Sequence, residues 1–125
     1  MLSLLLLCPV PALQAQAVTK FYQEADSLYR AGEFSRAAVS FGEASEYARA
    51  GERNHYAFLA AKAWYRAGEY ETARDHFEEL LRHKPPAYIE ATSHFYLGNL
   101  EFESGDKLAA GYEYLDAWRT DYNDS

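Results

Sequence analysis

Apolar positions recur at intervals of three and four along most of the chain, the spacing of one face of an α-helix. In the middle of the chain Ala73, Phe77, Leu80 and Leu81 share such a face, predicting a helix over 70–83. The stretch 56–67, rich in Ala, Leu and Lys, predicts a second helix just before it. Gly68 stands between the two, where a left-handed residue ends a helix at no steric cost. Pro85-Pro86 stops the second helix and opens the next unit. No stretch shows strand alternation bounded by turns, so the pattern predicts an all-α chain built of helical hairpins.

The hairpins repeat. Tyr29-Arg30-Ala31-Gly32-Glu33-Phe34 returns as Tyr65-Arg66-Ala67-Gly68-Glu69-Tyr70, and more weakly as Phe102-Glu103-Ser104-Gly105-Asp106-Lys107. The glycines are 36 and 37 residues apart, and the same offsets carry Ala37 to Ala73 to Ala110 and Phe41 to Phe77 to Tyr114. A period in this range is the signature of a solenoid, in which each unit buries its apolar face only against its neighbours.

On these residues the chain resembles the tetratricopeptide repeat family. Ala73-x3-Phe77 followed by Pro85 fits the second half of that family's motif, as do Ala37-x3-Phe41 and Ala110-x3-Tyr114, while Leu97-Gly98 fits its first half. The resemblance covers about 18–124 and implies units at 18–53, 54–90 and 91–125, with extra residues in turns around Ala50-Gly51-Glu52 and Pro85-Pro86-Ala87. It implies a right-handed α-solenoid of three hairpins. It further implies a non-enzymatic adaptor or scaffold that binds a peptide or partner protein in a concave groove lined by the first helix of each hairpin. Mapped onto this chain, the groove carries three rungs: Tyr22, Asp26 and Tyr29; Phe58, Lys62 and Tyr65; Phe95, Asn99 and Phe102. Each rung sets aromatic rings about a polar middle on one helix face. Rings are frequent interface anchors, and an Asn on the groove floor can serve an extended backbone as donor and acceptor.

The resemblance has departures. Glu24 and Glu101 occupy places where the pattern expects apolar residues, and Lys107 stands where earlier units have Phe34 and Tyr70. The family's carboxylate-clamp places hold Tyr22, Asp26, Leu59, Thr92 and Tyr96, so binding of acidic C-terminal tails by that route is not expected. Arrays of this kind commonly end in a capping helix. Here Tyr114, Leu115 and Trp118 lie in the last helix, which motivates a second reading: a scaffold that pairs as a homodimer, or the interaction part of a longer protein.

The first 17 residues differ from the rest. They are uncharged, with a leucine run at 2–7 and a small-x-small pattern at Ala15-Gln16-Ala17. This reads as a secretory signal peptide over 1–17, which places the mature chain in a periplasmic or secreted location; a lipoprotein anchor on Cys8 is the alternative. The two prolines and the short run argue against this segment spanning a membrane, and no stable membrane insertion of the mature chain is expected.

Composition narrows the chemistry. With 125 residues, 49% apolar and 16% aromatic, the chain makes one folded domain. Twelve Lys and Arg against 19 Asp and Glu leave 12 − 19 = −7, a poor balance for gripping nucleic acid or an anionic membrane. One Cys excludes an intrachain disulfide and a thiolate zinc site. There is no Gly-rich phosphate loop, nucleophile elbow or zinc-protease helix motif, so no catalytic residue, cofactor or metal ligand is assigned. His76, Glu79 and His83 share a helix face at i, i+3 and i+7 and read as exposed polar residues of an amphipathic helix.

Overall fold

The computed structural model describes residues 10–124, which form six helices and, among the described residues, no strand. We number them α1 (Val10–Arg30), α2 (Phe34–Tyr47), α3 (Ala50–Arg66), α4 (Tyr70–Arg82), α5 (Ala87–Glu103) and α6 (Lys107–Asp124). Consecutive helices pair into three hairpins, and packing runs almost wholly between neighbours in sequence, with a smaller contact between α3 and α5. This is the quasi-one-dimensional packing of a helical-repeat solenoid.

The repeated glycines end the first helix of each hairpin in the same way. Gly32, Gly68 and Gly105 have φ of +80°, +79° and +92°, a region that side-chain-bearing residues rarely enter. In each case the glycine N–H donates to the carbonyl three residues back and the next N–H to the carbonyl five back, as in Gly68 to Tyr65 (3.0 Å) and Glu69 to Trp64 (3.1 Å). That is a Schellman closure, which satisfies the last carbonyls of the helix and turns the chain sharply into its partner.

The interior follows the repeat register. Ala37, Ala73 and Ala110 are buried, as are Phe41 and Phe77, while Tyr114 is half-buried. Alanines such as Ala25, Ala60, Ala61 and Ala63 let the helices approach closely around these rings. The largest cluster lies where α3, α4 and α5 meet, with Phe58, Phe77, Leu80, Ile89, Leu97 and Leu100 at its centre.

Some sequence-based placements shift. The first linker is residues 48–49, with both backbones extended, and Ala50-Gly51-Glu52 form the first turn of α3 rather than a loop. Starting α3 six residues ahead of the predicted 56 absorbs the added repeat length in helix, where every further residue gains a backbone hydrogen bond. Glu101 is explained by a partner: its carboxylate pairs with the Arg74 guanidinium across α4 and α5, both about four-fifths buried. Glu24 is exposed and needs none. Of the uncharged N-terminal segment, 1–9 with Cys8 lies outside the described residues. Residues 10–17 continue α1, those at 11–16 are exposed, and burial starts at Val18.

Candidate functional site

The first helices of the hairpins, α1, α3 and α5, carry the nine residues assigned to the groove, and the structure sorts them into three groups. Tyr22, Asp26 and Tyr29 on α1 join Lys62 and Leu59 on α3 and Phe41 on α2 around a hollow of about 170 Å³. Tyr22 is 39% exposed, its ring edge-on to Tyr56 at 5.9 Å and tilted over Phe41 at 6.1 Å. Tyr29 closes the far end against Phe34 at 5.0 Å. Asp26 and Lys62 put opposite charges on the rim of this one hollow. Asp26 also meets Arg30 one turn on at 3.0 Å, an exposed pair that holds it only weakly. The Lys62 ammonium lies 5.3 Å from the centre of the Phe58 ring.

The second group is aromatic and more enclosed. Tyr65 stands edge-on to Tyr96 at 4.9 Å and near Tyr70 at 5.6 Å, and Tyr96 stacks on the core ring of Phe77 at 5.0 Å. Burial pushes the Tyr65 phenol above its ordinary value and Tyr70 adds to the rise, while a hydrogen bond with Asn99 opposes it. Tyr65 is thus a neutral donor at physiological pH, built into the wall. Asn99 is also committed: its Oδ1 accepts the Tyr114 hydroxyl from α6 at 2.7 Å.

The third group is outward-facing. Phe95 is 49% exposed, leaning on Tyr96 and Tyr114 at 5.9 Å each, and Phe102 is more exposed still.

Two assignments are corrected by this geometry. Phe58 is not on the groove surface: at 6% exposure it belongs to the core, edge-on to Phe77 at 6.4 Å and to Tyr88 at 6.5 Å. Its helix is the middle one, with α4 and α5 both packed over that side, so a ring at this register is covered. Asn99 is not an open floor residue, because α6 supplies it with an internal partner.

The structure adds residues that the sequence reading did not assign. The Arg66 guanidinium lies 4.9 Å from the Phe34 ring and 5.7 Å from Tyr29, a cation held over two rings across the first inter-repeat step. Its sequence signal was the i+4 spacing from Lys62, which puts both on one face. Tyr96 forms the back wall between Tyr65 and Phe95; it is one residue from Phe95, so spacing alone sets it off the rung.

A separate hollow of about 420 Å³ is lined by Arg53, Asn54, His76, Glu79 and His83, among others. Glu79 Oε1 and His83 Nε2 pair at 2.8 Å, and this hydrogen bond, with the nearby Arg82, holds the Glu79 carboxyl below its ordinary value. His76 instead lies near the Trp64 ring at 6.3 Å, and burial lowers its pKa. Glu79 and His83 are exposed as the amphipathic pattern predicts, whereas His76 is half-buried.

The repeat is independently recognised. The sequence profile of the family described as tetratricopeptide repeat matches residues 22–88 and again 66–125. The chain belongs to the tetratricopeptide repeat family. It is also similar to the tetratricopeptide repeat and J domain-containing co-chaperone DNJ1 of Cryptococcus neoformans var. grubii, with 32% identity over 97 residues. That match takes in 78% of this chain and 18% of the fungal protein, so the chain spans under a fifth of that relative's length. Tetratricopeptide repeats generally mediate protein–protein interaction, and proteins of the family are generally non-catalytic adaptors. Among the described residues no helix is long and apolar enough to cross a membrane.

Proposed function

We propose that this tetratricopeptide repeat chain is a non-catalytic adaptor that holds an extended segment of a partner protein along the face formed by α1, α3 and α5. The observation that carries the reading is the hollow between α1 and α3, where Tyr22 and Tyr29 flank a rim bearing Asp26 and Lys62. Rings supply area at small entropic loss, and the opposed charges orient a polar backbone. It has room for roughly one side chain of the ligand, with Phe95 and Phe102 offering further exposed contacts along the array. The net charge of −7 favours a neutral or basic segment. We place the adaptor outside the cytoplasm, as a periplasmic or secreted protein. This rests on the uncharged leucine-rich segment at 1–17 and on the exposure of its described residues 11–16.

The test uses random peptides displayed on phage, selected on the chain and then measured by fluorescence anisotropy. Tyr22→Ala and Phe95→Ala are each expected to weaken the selected peptide by about 1–3 kcal/mol, or roughly 5- to 150-fold. Phe95 is 49% exposed, so its variant should keep its melting temperature, while Tyr22, 39% exposed and packed on Tyr56 and Phe41, should lose some stability yet remain folded. Unaltered affinity in both variants would remove the groove from the function. Tyr65 is unsuitable for this test, because its contacts with Tyr96 and Asn99 tie it to folding.

A second reading, self-pairing through α6, is favoured by one specific observation. Leu108, Tyr112 and Leu115 are exposed at i, i+4 and i+7, whereas the register places Glu71, Asp75 and Glu78 at the same points of α4. An antiparallel pair of α6 helices would bury this stripe, with Leu108 opposite Leu115 and Lys107 near Asp116. Sedimentation equilibrium is then expected to show a concentration-dependent dimer that Tyr112→Glu converts to monomer; a monomer throughout the millimolar range excludes it.

A further inference from the structure

The sequence reading assigned no metal ligand, but folding brings three ligand-type side chains together in the last hairpin. Glu113 and Asp116 lie three apart on α6 and so share a face. His94 reaches them from α5, with its Nδ1 2.7 Å from Glu113 Oε2. One donor atom from each of the three lies within 4.8 Å of the others. All three residues are half-buried, and the side chains of His94 and Glu113 are only 18% and 30% exposed.

Packing does not require this arrangement. The repeat register puts Ala57 and Phe21 at the place of His94, so the two earlier hairpins fill this point with apolar atoms. The register equivalents of Glu113 and Asp116 are His76 and Glu79 in the second hairpin, and Ser40 and Glu43 in the first. Only the third hairpin sets an imidazole against two carboxylates. Two carboxylates at this range repel, more strongly where water is partly excluded. His94 can donate one hydrogen bond into the cluster, and Arg119, largely exposed, stands 4.0 Å from Asp116. A divalent cation among the three donor atoms turns that repulsion into attraction for both carboxylates.

We propose that His94, Glu113 and Asp116 form a binding site for a zinc-class divalent ion that clamps α5 to α6. One imidazole nitrogen with two carboxylate oxygens is an intermediate donor set, suited to Zn²⁺ and its first-row neighbours more than to Ca²⁺ or Mg²⁺, which take all-oxygen shells. Three protein ligands leave a fourth position for water. On binding, the His94 Nδ1 lone pair goes to the ion, any proton it carries leaves to solvent, and Glu113 exchanges its histidine contact for the metal. The site joins α5 to α6 and uses none of the rings proposed for partner binding as ligands, so it stands or falls independently of that proposal.

The experiment is isothermal titration of ZnCl₂ into the full chain stripped with chelator, alongside thermal melts with and without Zn²⁺. One saturable site per chain is expected, with a rise in melting temperature on loading. His94→Ala, Glu113→Gln and Asp116→Asn should each weaken binding about tenfold or more. Glu113→Gln keeps an acceptor for His94 and preserves the fold, which far-UV circular dichroism checks. His76→Ala/His83→Ala serves as the control and should leave the affinity unchanged. No saturable binding up to millimolar Zn²⁺ overturns the proposal. So does affinity unmoved by the three variants, loss in the control instead, or tighter binding of Ca²⁺ than of Zn²⁺.

Discussion

Phe77→Ala is expected to destabilise the protein by about 3–5 kcal/mol, the usual loss when a fully buried ring is truncated and a cavity is left behind. Phe77 is wholly buried in α4 and sits where three helices meet. Phe58 of α3 lies edge-on to it at 6.4 Å, and Tyr96 of α5 stacks on it at 5.0 Å with the ring planes 7° apart. The neighbours cannot close the gap without moving α3 or α5, whose other faces are packed elsewhere. A domain of this size has a total stability of about 5–15 kcal/mol, so the variant loses a large fraction of it. Urea titration followed by far-UV circular dichroism measures the loss. Tyr96 is the back wall between Tyr65 and Phe95, so peptide binding should fail in parallel with stability, unlike in Phe95→Ala. A loss below about 1 kcal/mol would mean that this ring does not centre the core.

Gly98→Ala carries the second large effect, and its sign runs against helix propensity. Alanine in place of glycine inside a helix ordinarily gains up to about 1 kcal/mol. Gly98 lies inside α5, but a Cβ there would stand 2.5 Å from Cε1 and 2.6 Å from Cδ1 of Tyr114. That ring has nowhere simple to go. Its hydroxyl donates to Asn99 Oδ1 at 2.7 Å, and its ring lies 5.9 Å from Phe95. The methyl therefore forces α6 away from α5 or breaks the Tyr114–Asn99 bond, and a net loss of about 1–3 kcal/mol is expected. Combining the change with Tyr114→Leu, which narrows the side chain, should recover part of that loss relative to additivity. Stabilisation by Gly98→Ala alone would show that the two helices are not in such close contact.

Much of the architecture was legible in the chain itself. Tyr-Arg-Ala-Gly and its copies mark the helix ends, because a left-handed φ is cheap only for glycine. The alternation of Ala37, Ala73 and Ala110 with Phe41, Phe77 and Tyr114 marks the buried face, because helical spacing alone brings those positions together. The groove was legible in part. Tyr22, Phe58 and Phe95 occupy one register and look equivalent in sequence, yet Tyr22 and Phe95 are exposed and Phe58 is buried. The difference lies in the neighbours: Phe58 has Phe77 and Tyr88 from two further helices over it, and Phe95 meets Tyr96 of its own helix and Tyr114 of α6.

Local chemistry, acting over one or two turns, thus set the helices, their glycine stops, the hairpin order and the repeat. Those depend on backbone freedom and on spacings of three and four, which are properties of adjacent residues. Tertiary packing decided everything that depends on residues distant in the chain. It paired Glu101 with Arg74, engaged Asn99 with Tyr114, set Arg66 over Phe34 and Tyr29, and gathered His94, Glu113 and Asp116 at one point. Burial and pairing belong to the stacked array, since a helix face has no inside or outside until its neighbours arrive.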